Sequence, residues 1–350
     1  MHVIPKLVLD TFSEVYSLLK PWAADEFWDF AQHEVVPGAT YVVGRKQCIE
    51  HRDKLLALVA NNTIQLVISN PHEGSQTLDG QMTRLGFRGA KVKLIGGGDM
   101  LPEWDYIRYD KFLPEILDYE ENLLAAESTP DIYHKTHKPY KFLCLNGRGR
   151  PHRAELIRKL ENKSLLEHSL WTNLDALNGS VKTLPPEYEV PRYKNNATTD
   201  NYIKFELFNN EWGEIYLHPA PYIDTYFSVV SETVFDVAYS FRTEKIWKPM
   251  VMGHPWIAVA NTGFYRDLHN LGFRTYSHVI DESFDSIENG QDRLDRIVDI
   301  VQDLCSQDLA AFLTECYNVS KYNQQHHREM AFQVRQEFPN RFFQFINERS

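Results

Sequence analysis

Cysteine is scarce and dispersed in this 350-residue chain. The four present, Cys48, Cys144, Cys305 and Cys316, form no CxxC pair. That excludes a zinc ribbon and a disulfide framework, and it fits reduced thiols in a cytosol. No apolar run approaches the roughly 20 residues needed to span a bilayer. The N-terminus MHVIPKLVLDTFSEVY lacks the charged-then-apolar order of a signal peptide. An excess of positive charge is missing too: 48 acidic residues against 37 basic give a formal charge of −11. Loose, sequence-independent binding to nucleic acid rests on Lys and Arg against phosphates, so any anionic ligand must be met by locally concentrated cations. There is no GxSxG elbow, no HExxH, no Cys-His nucleophile context, no Walker lysine loop and no DxD ending a strand. The 14 histidines supply no i, i+4 ligand pair in a clear helix, and adjacent His326 and His327 leave different helix faces. These absences predict a soluble cytoplasmic protein with no membrane partner and no metal.

What is present is an alternation of short β-rich runs and helical patterns. Val3–Leu9, Tyr41–Val43, Thr63–Ser69 and Lys91–Ile95 read as strands, with helical spacing over Phe12–Leu19, Arg52–Ala60 and Thr77–Leu85 between them. Such alternation implies βαβ units and a mostly parallel sheet. A helical pattern over Lys111–Ala126 and a Pro-, His- and Lys-rich linker over Ser128–Lys141 follow. A second α/β set then begins, with strands at Phe142–Leu145, Tyr226–Val230 and Pro255–Ala260. Its helices are expected at Pro151–Leu160, Glu244–Met252 and Gly263–Leu271. Leu184–Pro221, rich in Pro, Asn, Tyr and acids, reads as an irregular insertion. From Gln291 to Phe345 the pattern is helical, with a break expected near Phe338-Pro339. The length suits two domains: an N-terminal α/β acceptor-side domain, 1–138, and a C-terminal α/β domain with a helical tail, 139–350.

In open α/β sheets ligands sit beyond the carboxyl ends of the strands, which directs attention to the loops there. Leu145-Asn146-Gly147-Arg148-Gly149-Arg150-Pro151-His152-Arg153 is a strand-to-helix turn with two glycines, three arginines and a helix N-terminus. Backbone N–H groups and the helix dipole favour an anion at such a place, and arginine's planar fork adds bidentate bonds to phosphate. The bland alternative is a solvated basic turn. Ser231-Glu232-Thr233 puts a carboxylate at a strand end, where it can accept from sugar hydroxyls or simply flank an N-cap. Thr243-Glu244-Lys245 opens an amphipathic helix, with Thr243 a fitting N-cap. Lys245 can meet a diphosphate and Glu244 two ribose hydroxyls; the alternative is an ordinary capped helix. Ile280-Asp281-Glu282-Ser283-Phe284-Asp285 carries three carboxylates, read as a capping cluster before the helix at Gln291 rather than as a metal site.

The run Thr243-Glu244-Lys245-Ile246 through Gly253-His254-Pro255 resembles the sugar-nucleotide signature of fucosyltransferase-type GT-B glycosyltransferases. The C-terminal half is also similar to a group of phage-encoded glycosyltransferase-like proteins. The matching pieces are Phe142–Arg153, Ser231-Glu232-Thr233, Arg242–Pro255, Leu271-Gly272-Phe273 and Ile280–Asp285, covering roughly Lys141–Arg293, about two fifths of the chain. The resemblance implies two Rossmann-like domains facing a cleft. It implies a nucleotide-diphospho-sugar as donor substrate, no cofactor and no metal. It places ribose on Glu244 and the diphosphate on Lys245, with Arg148, Arg150 or Arg153 as the phosphate-loop arginine. Glu232 and Lys248 complete the expected nucleotide-sugar contacts. The Asn that follows the Lys in that family is absent here, and Lys248-Pro249 stands nearby.

The phage part of the resemblance implies transfer to a base in double-stranded DNA, with 5-hydroxymethylcytosine as candidate acceptor. The basic residues for such a surface would be Lys91, Lys93, Arg108 and the Arg148 loop. A glycan or protein acceptor is the competing choice, and a catalytically inactive nucleotide-sugar-binding module is the non-enzymatic one. An inverting transfer needs a base from the N-terminal half. Glu73, in Asn70-Pro71-His72-Glu73-Gly74, and Asp99, after Gly96-Gly97-Gly98, are the candidates, each against the alternative of a plain turn.

Overall fold

The computed structural model describes residues 6–99, 103–117, 131–175, 181–188, 217–237 and 239–348. Two compact units result: Met1–Pro114 with Ala331–Ser350, and Glu115–Met330. Each is an α/β layer structure around a parallel sheet. The first residues of the strand expected at Val3–Leu9, most of the helix at Lys111–Ala126 and most of the insertion at Leu184–Pro221 lie outside the described residues.

Unit 1 holds strands β1 (Leu7–Asp10), β2 (Ala23–Phe27), β3 (Thr40–Gly44), β4 (Gln65–Asn70), β5 (Val92–Gly96) and β6 (Asp105–Arg108), in the order β2-β1-β3-β4-β5-β6. Every described pairing in this sheet is parallel. The strands β1 and β3 are buried along their whole length. That is why they read as short continuous apolar runs: a parallel strand is covered on both faces. The two strands the pattern did not announce, β2 and β6, are the edges. Three of the five residues of β2 are exposed and polar or small, as edge strands commonly are. Helices α1 (Tyr16–Leu19), α2 (Arg45–Glu50), α3 (Arg52–Ala60) and α4 (Ser75–Arg84) connect them.

In unit 2 the strands are β7 (Tyr140–Asn146), β8 (Leu170–Asn173), β9 (Thr225–Ser231) and β10 (Trp256–Val259), ordered β10-β9-β7-β8 and again parallel. The helices are α5 (Pro151–Asn162), α6 (Ala220–Ile223), α7 (Glu244–Val251), α8 (Phe264–Asn270), α9 (Gly290–Cys305) and the part of α10 (Leu309–Asn347) up to Met330. Pro151 occupies the first turn of α5, where its missing N–H costs nothing. Gly253, at φ +66°, ends α7 in the left-handed region; His254 N–H then donates to the Pro249 carbonyl at 2.8 Å.

Two expectations are corrected. The helical tail belongs to unit 1 from Ala331 onward, not to the second half as a whole. No break occurs at Pro339, which lies inside the 39-residue α10. The reason is packing. Phe338, Phe342 and Ile346 are buried with Leu7, Leu9, Val42, Val67 and Ile95 against one face of the unit 1 sheet. That burial outweighs the roughly 3 kcal/mol that an interior proline costs. The helix end is also tied down by Lys93, whose ammonium donates to the carbonyls of Phe345 and Glu348 at 2.8 and 3.2 Å. Lys93 is 4% exposed, so it caps a helix C-terminus and does not join a basic surface.

Phe342→Ala should therefore cost about 3–5 kcal/mol, seen as a fall in the urea midpoint of unit 1. A loss under about 1 kcal/mol would show that the last turns of α10 are not part of this core.

Candidate site at the switch point of the second sheet

Unit 2 has a topological switch point between β7 and β9. The chain leaves β7 toward β8 on one side, and β9 leads to β10 on the other. The register Leu143↔Ser228 sets Asn146 and Ser231 level at the carboxyl ends of these strands. Both are 1% exposed. The Oδ1 of Asn146 and the Oγ of Ser231 are buried with no hydrogen-bond partner, as are the Nε atoms of Arg150 and Arg153. A crevice at a switch point is where doubly wound sheets take ligands.

Arg153 organises this place. It is 2% exposed, and its guanidinium donates to the carbonyl of Arg148 at 2.8 Å and to those of Ser231 and Glu232 at 3.0 and 3.2 Å. The loop after β7 is thereby tied to the loop after β9. A second brace comes from Asp175, which accepts the Gly149 N–H at 2.7 Å. His152 closes the floor, stacked on Phe235 at 4.9 Å with Nε2 3.0 Å from the Glu232 carbonyl. Burial first, then the charge of Arg153, holds its pKa down to about 4, so it is neutral at pH 7.

Glu232 is fully buried, and its carboxylate is committed to the protein. Oε2 accepts from Thr243 Oγ1 at 2.7 Å and from the Thr233 N–H at 3.2 Å; Oε1 accepts from the Thr243 N–H at 3.1 Å. Burial raises its pKa despite the pull of Lys245 and Thr243. Thr243 in turn caps α7, accepting from the Lys245 N–H at 3.4 Å. Glu232 therefore fixes the helix start, and the oxygens expected to meet sugar hydroxyls are bonded within the protein.

Glu244, 6% exposed, pairs with Lys245 Nζ at 2.5 Å. Burial pushes its carboxyl up, yet the charges of Lys245 and Lys248 outweigh this and hold it below the ordinary range. Lys245 keeps 24% of its side chain exposed. Arg148 is exposed, and Arg150 and Lys248 are half-buried. The sequence-predicted residues of this half thus lie on the loops after β7 and β9 and on the first turns of α5 and α7. Arg153 and Glu232 brace these segments, and Arg148, Arg150, Glu244, Lys245 and Lys248 are carried on them. Two helix N-termini, of α5 and α7, follow the same strand ends, so partial positive charge adds to the cations.

The Gly253-His254-Pro255 segment is structural. His254 is fully buried, with Nδ1 2.9 Å from Ser228 Oγ and Nε2 2.8 Å from the Thr225 carbonyl, and burial holds its pKa near 3. In the acidic stretch Ile280–Asp285 only Asp285 caps a helix, and not the one expected. Asp285 accepts from the Tyr265 and Arg266 N–H groups at the start of α8. Asn289 alone caps α9. Among the described residues no group of three or more His, Cys, Asp or Glu is arranged to hold a metal ion.

In unit 1, Glu73 and Asp99 stand at the ends of adjacent strands, their loops joined by a Gly97 N–H bond to the Glu73 carbonyl at 3.3 Å. Glu73 lies 3.9 Å from Arg45, and Asp99 3.4 Å from Arg108. Arg108 also pairs with Asp110, so it too is no free cation for DNA. The glycine run serves packing, since a Cβ on Gly96 would sit 2.4 Å from the Tyr106 hydroxyl, which donates to the Gly98 carbonyl. A polar cluster absent from the sequence-based candidates accompanies them. Glu14 accepts from Ser69 Oγ at 3.1 Å and faces His72 Nδ1 at 3.5 Å, while His72 Nε2 meets Lys111 Nζ at 2.5 Å. Only the order of the strands brings residues 14, 69, 72 and 111 together, so local pattern carried no signal of it.

In comparison with known proteins, the chain matches no family model, no curated protein and no solved structure. The functional reading therefore rests on the residues themselves.

Two outcomes follow. Thr243→Ala should lower stability by about 1–3 kcal/mol, losing a cap and stranding a buried carboxylate, while Thr243→Ser retains most of it. An unchanged unfolding midpoint in Thr243→Ala would refute the brace. The second concerns Glu282, whose carboxyl burial pushes up to about 7 against the hydrogen bond from Thr275. A raised folded pKa stabilises the protonated form; that contribution is full below the unfolded value near 4.5 and lost as pH rises through about 7. The wild type should thus lose on the order of 1–3 kcal/mol relative to Glu282→Gln between pH 5 and 8. Parallel pH curves for the two proteins would count against it.

Proposed function

We propose that this protein is a GT-B-type, metal-independent glycosyltransferase that takes its nucleotide-diphospho-sugar in unit 2. The observation that carries this is the switch-point crevice of the second sheet. There Asn146 Oδ1 and Ser231 Oγ are buried without a partner at the strand ends, and the segments that follow carry the cations Arg148, Arg150, Lys245 and Lys248 and two helix N-termini. Such a crevice suits a diphosphate, and the resemblance of the Thr243–Pro255 run supports the same reading.

In this reading Lys245 and the Arg148–Arg150 loop take the diphosphate, and Glu244 takes the ribose hydroxyls. In an inverting transfer the C1–O bond to the diphosphate breaks as the acceptor oxygen bonds to C1. The acceptor's proton must pass to a general base, the role expected of Glu73 or Asp99. Charge developing on the departing diphosphate is met by fixed cations and helix dipoles, which need no reorganisation at the moment of reaction.

The switch point of unit 1, between β1 and β3, favours this division of labour. Asp10 fills it: the buried carboxylate accepts the Phe12 N–H and the Gly44 N–H, each at 2.9 Å. A carboxylate stands where a phosphate would otherwise take those amides, so unit 1 is the side suited to an acceptor.

Lys245→Ala should weaken binding of nucleoside diphosphates about 10- to 150-fold in calorimetry, the loss of a charge-assisted contact of about 1.5–3 kcal/mol. Equal affinity in the folded variant would remove Lys245 from the site. Incubated with a panel of nucleotide-diphospho-sugars, the wild type should slowly release free sugar. Tight binding with no release would make it a binding module.

A further inference from the structure

Exposed large hydrophobic side chains concentrate at one corner of unit 1. Phe12 is 63% exposed, Trp28 61% and Ile49 48%. Phe12 lies two residues past β1 and Trp28 one past β2. The Thr11 N–H donates to the Phe27 carbonyl at 2.9 Å, so the two aromatic residues leave neighbouring strands at the same level. Helix α2 borders them. Its Gln47 donates to the Trp28 carbonyl at 2.7 Å and accepts from the Phe30 N–H at 3.1 Å. This turns Arg45, Lys46, Ile49 and Glu50 outward beside the rings, with Lys46 Nζ 5.8 Å from the Phe12 ring centre.

We propose that this corner is a binding site for a neutral carbohydrate chain. As the acceptor site its role rests on the glycosyltransferase reading, whereas the binding itself does not. Large aromatic faces left in water mark an interaction surface. Sugar rings present apolar C–H faces edged by hydroxyls, which lay flat on such rings and exchange hydrogen bonds with charged neighbours of either sign. The neighbours here are of both signs. Arg45 and Lys46 stand with Glu50 on α2, Arg45 lies 3.9 Å from Glu73, and the loop carrying Phe12 also carries Glu14. The switch point beside them is already occupied by the Asp10 carboxylate. A polyanion such as DNA draws its affinity from an excess of Lys and Arg. This corner offers none, on a chain of net charge −11. The same balance disfavours an anionic lipid surface.

The test is a glycan array probed with the full-length wild type and with the double variant Phe12→Ala/Trp28→Ala, its folding checked by thermal unfolding. The wild type should retain a subset of neutral glycans, and the variant should bind them at least tenfold more weakly. The proposal is overturned if no glycan is retained, or if glycan binding is equal in the two proteins. It is equally overturned if the double substitution instead abolishes binding to a dodecamer of thymidylate or to phosphatidylserine vesicles. Titration of both proteins with UDP and GDP keeps the two readings apart. Glycan binding without nucleotide binding sinks the transferase and leaves this site; nucleotide binding without glycan binding does the reverse.

Discussion

The guanidinium of Arg153 is the constraint on which the second unit's site depends. It sits buried at the base of the switch point and holds the carbonyls of Arg148, Ser231 and Glu232, joining two loops that leave separate strands. Burying a cation is tolerable only with oxygens on several sides and a counter-charge nearby. The carbonyls are the first condition, and the Glu232 carboxylate is the second. That carboxylate then has its own work, fixing Thr243 and through it the first turn of α7. A single chain of polar contacts therefore runs from the β7 loop to the helix that carries Glu244 and Lys245. The charges at the start of α7 are placed by residues that are themselves buried.

Two parallel sheets offer two switch points, and the protein treats them differently. In the second sheet Asn146 Oδ1 and Ser231 Oγ stay buried without a partner. In the first, Asp10 consumes the amides that an anion would use, and Gly44 is small enough to allow it: a Cβ there would come within 3.1 Å of Asp10 Oδ2. The same architecture thus leaves buried polar atoms open at one switch point and fills the other with a carboxylate. The unit with the closed switch point is also the one whose strand ends carry exposed aromatic rings. Fold alone does not give function; the side chains at equivalent positions make the difference.

Local pattern recovers most elements that lie inside a sheet or cover it. Arg52–Ala60 agrees to the residue, and the strands around Tyr41, Ile68, Leu94, Phe142, Val229 and Ile257 lie within one or two residues of expectation. Among the misses are the edge strands β2, β6 and β8, each of four or five residues with polar side chains that interrupt an apolar signal, the short helix α2, and the helix around Pro339. Proline's local cost is real, but Phe338 and Phe342 have no visible partner until the β1 and β3 side chains are in place. Within the site, Arg153 and Glu232 are legible by position, with ligand-binding roles expected of them. Only burial shows that their polar atoms are used up by the protein. Lys93 and Arg108 look equally available as surface cations and are bound to α10 and to Asp110.

The sequence by itself determined the alternation of strand and helix, the parallel sheets and the clustering of charge at strand-ending loops. These depend on short-range periodicity, turn chemistry and capping, all carried by neighbours along the chain. Tertiary structure alone decided which charges are spent inside and which stay outside. It returned the last part of α10, from Ala331, to the first unit and gathered Glu14, Ser69, His72 and Lys111 at one sheet end. The physical reason is that burial and hydrogen-bond partners are set by strand order and packing, which bring together residues that sequence separation keeps apart.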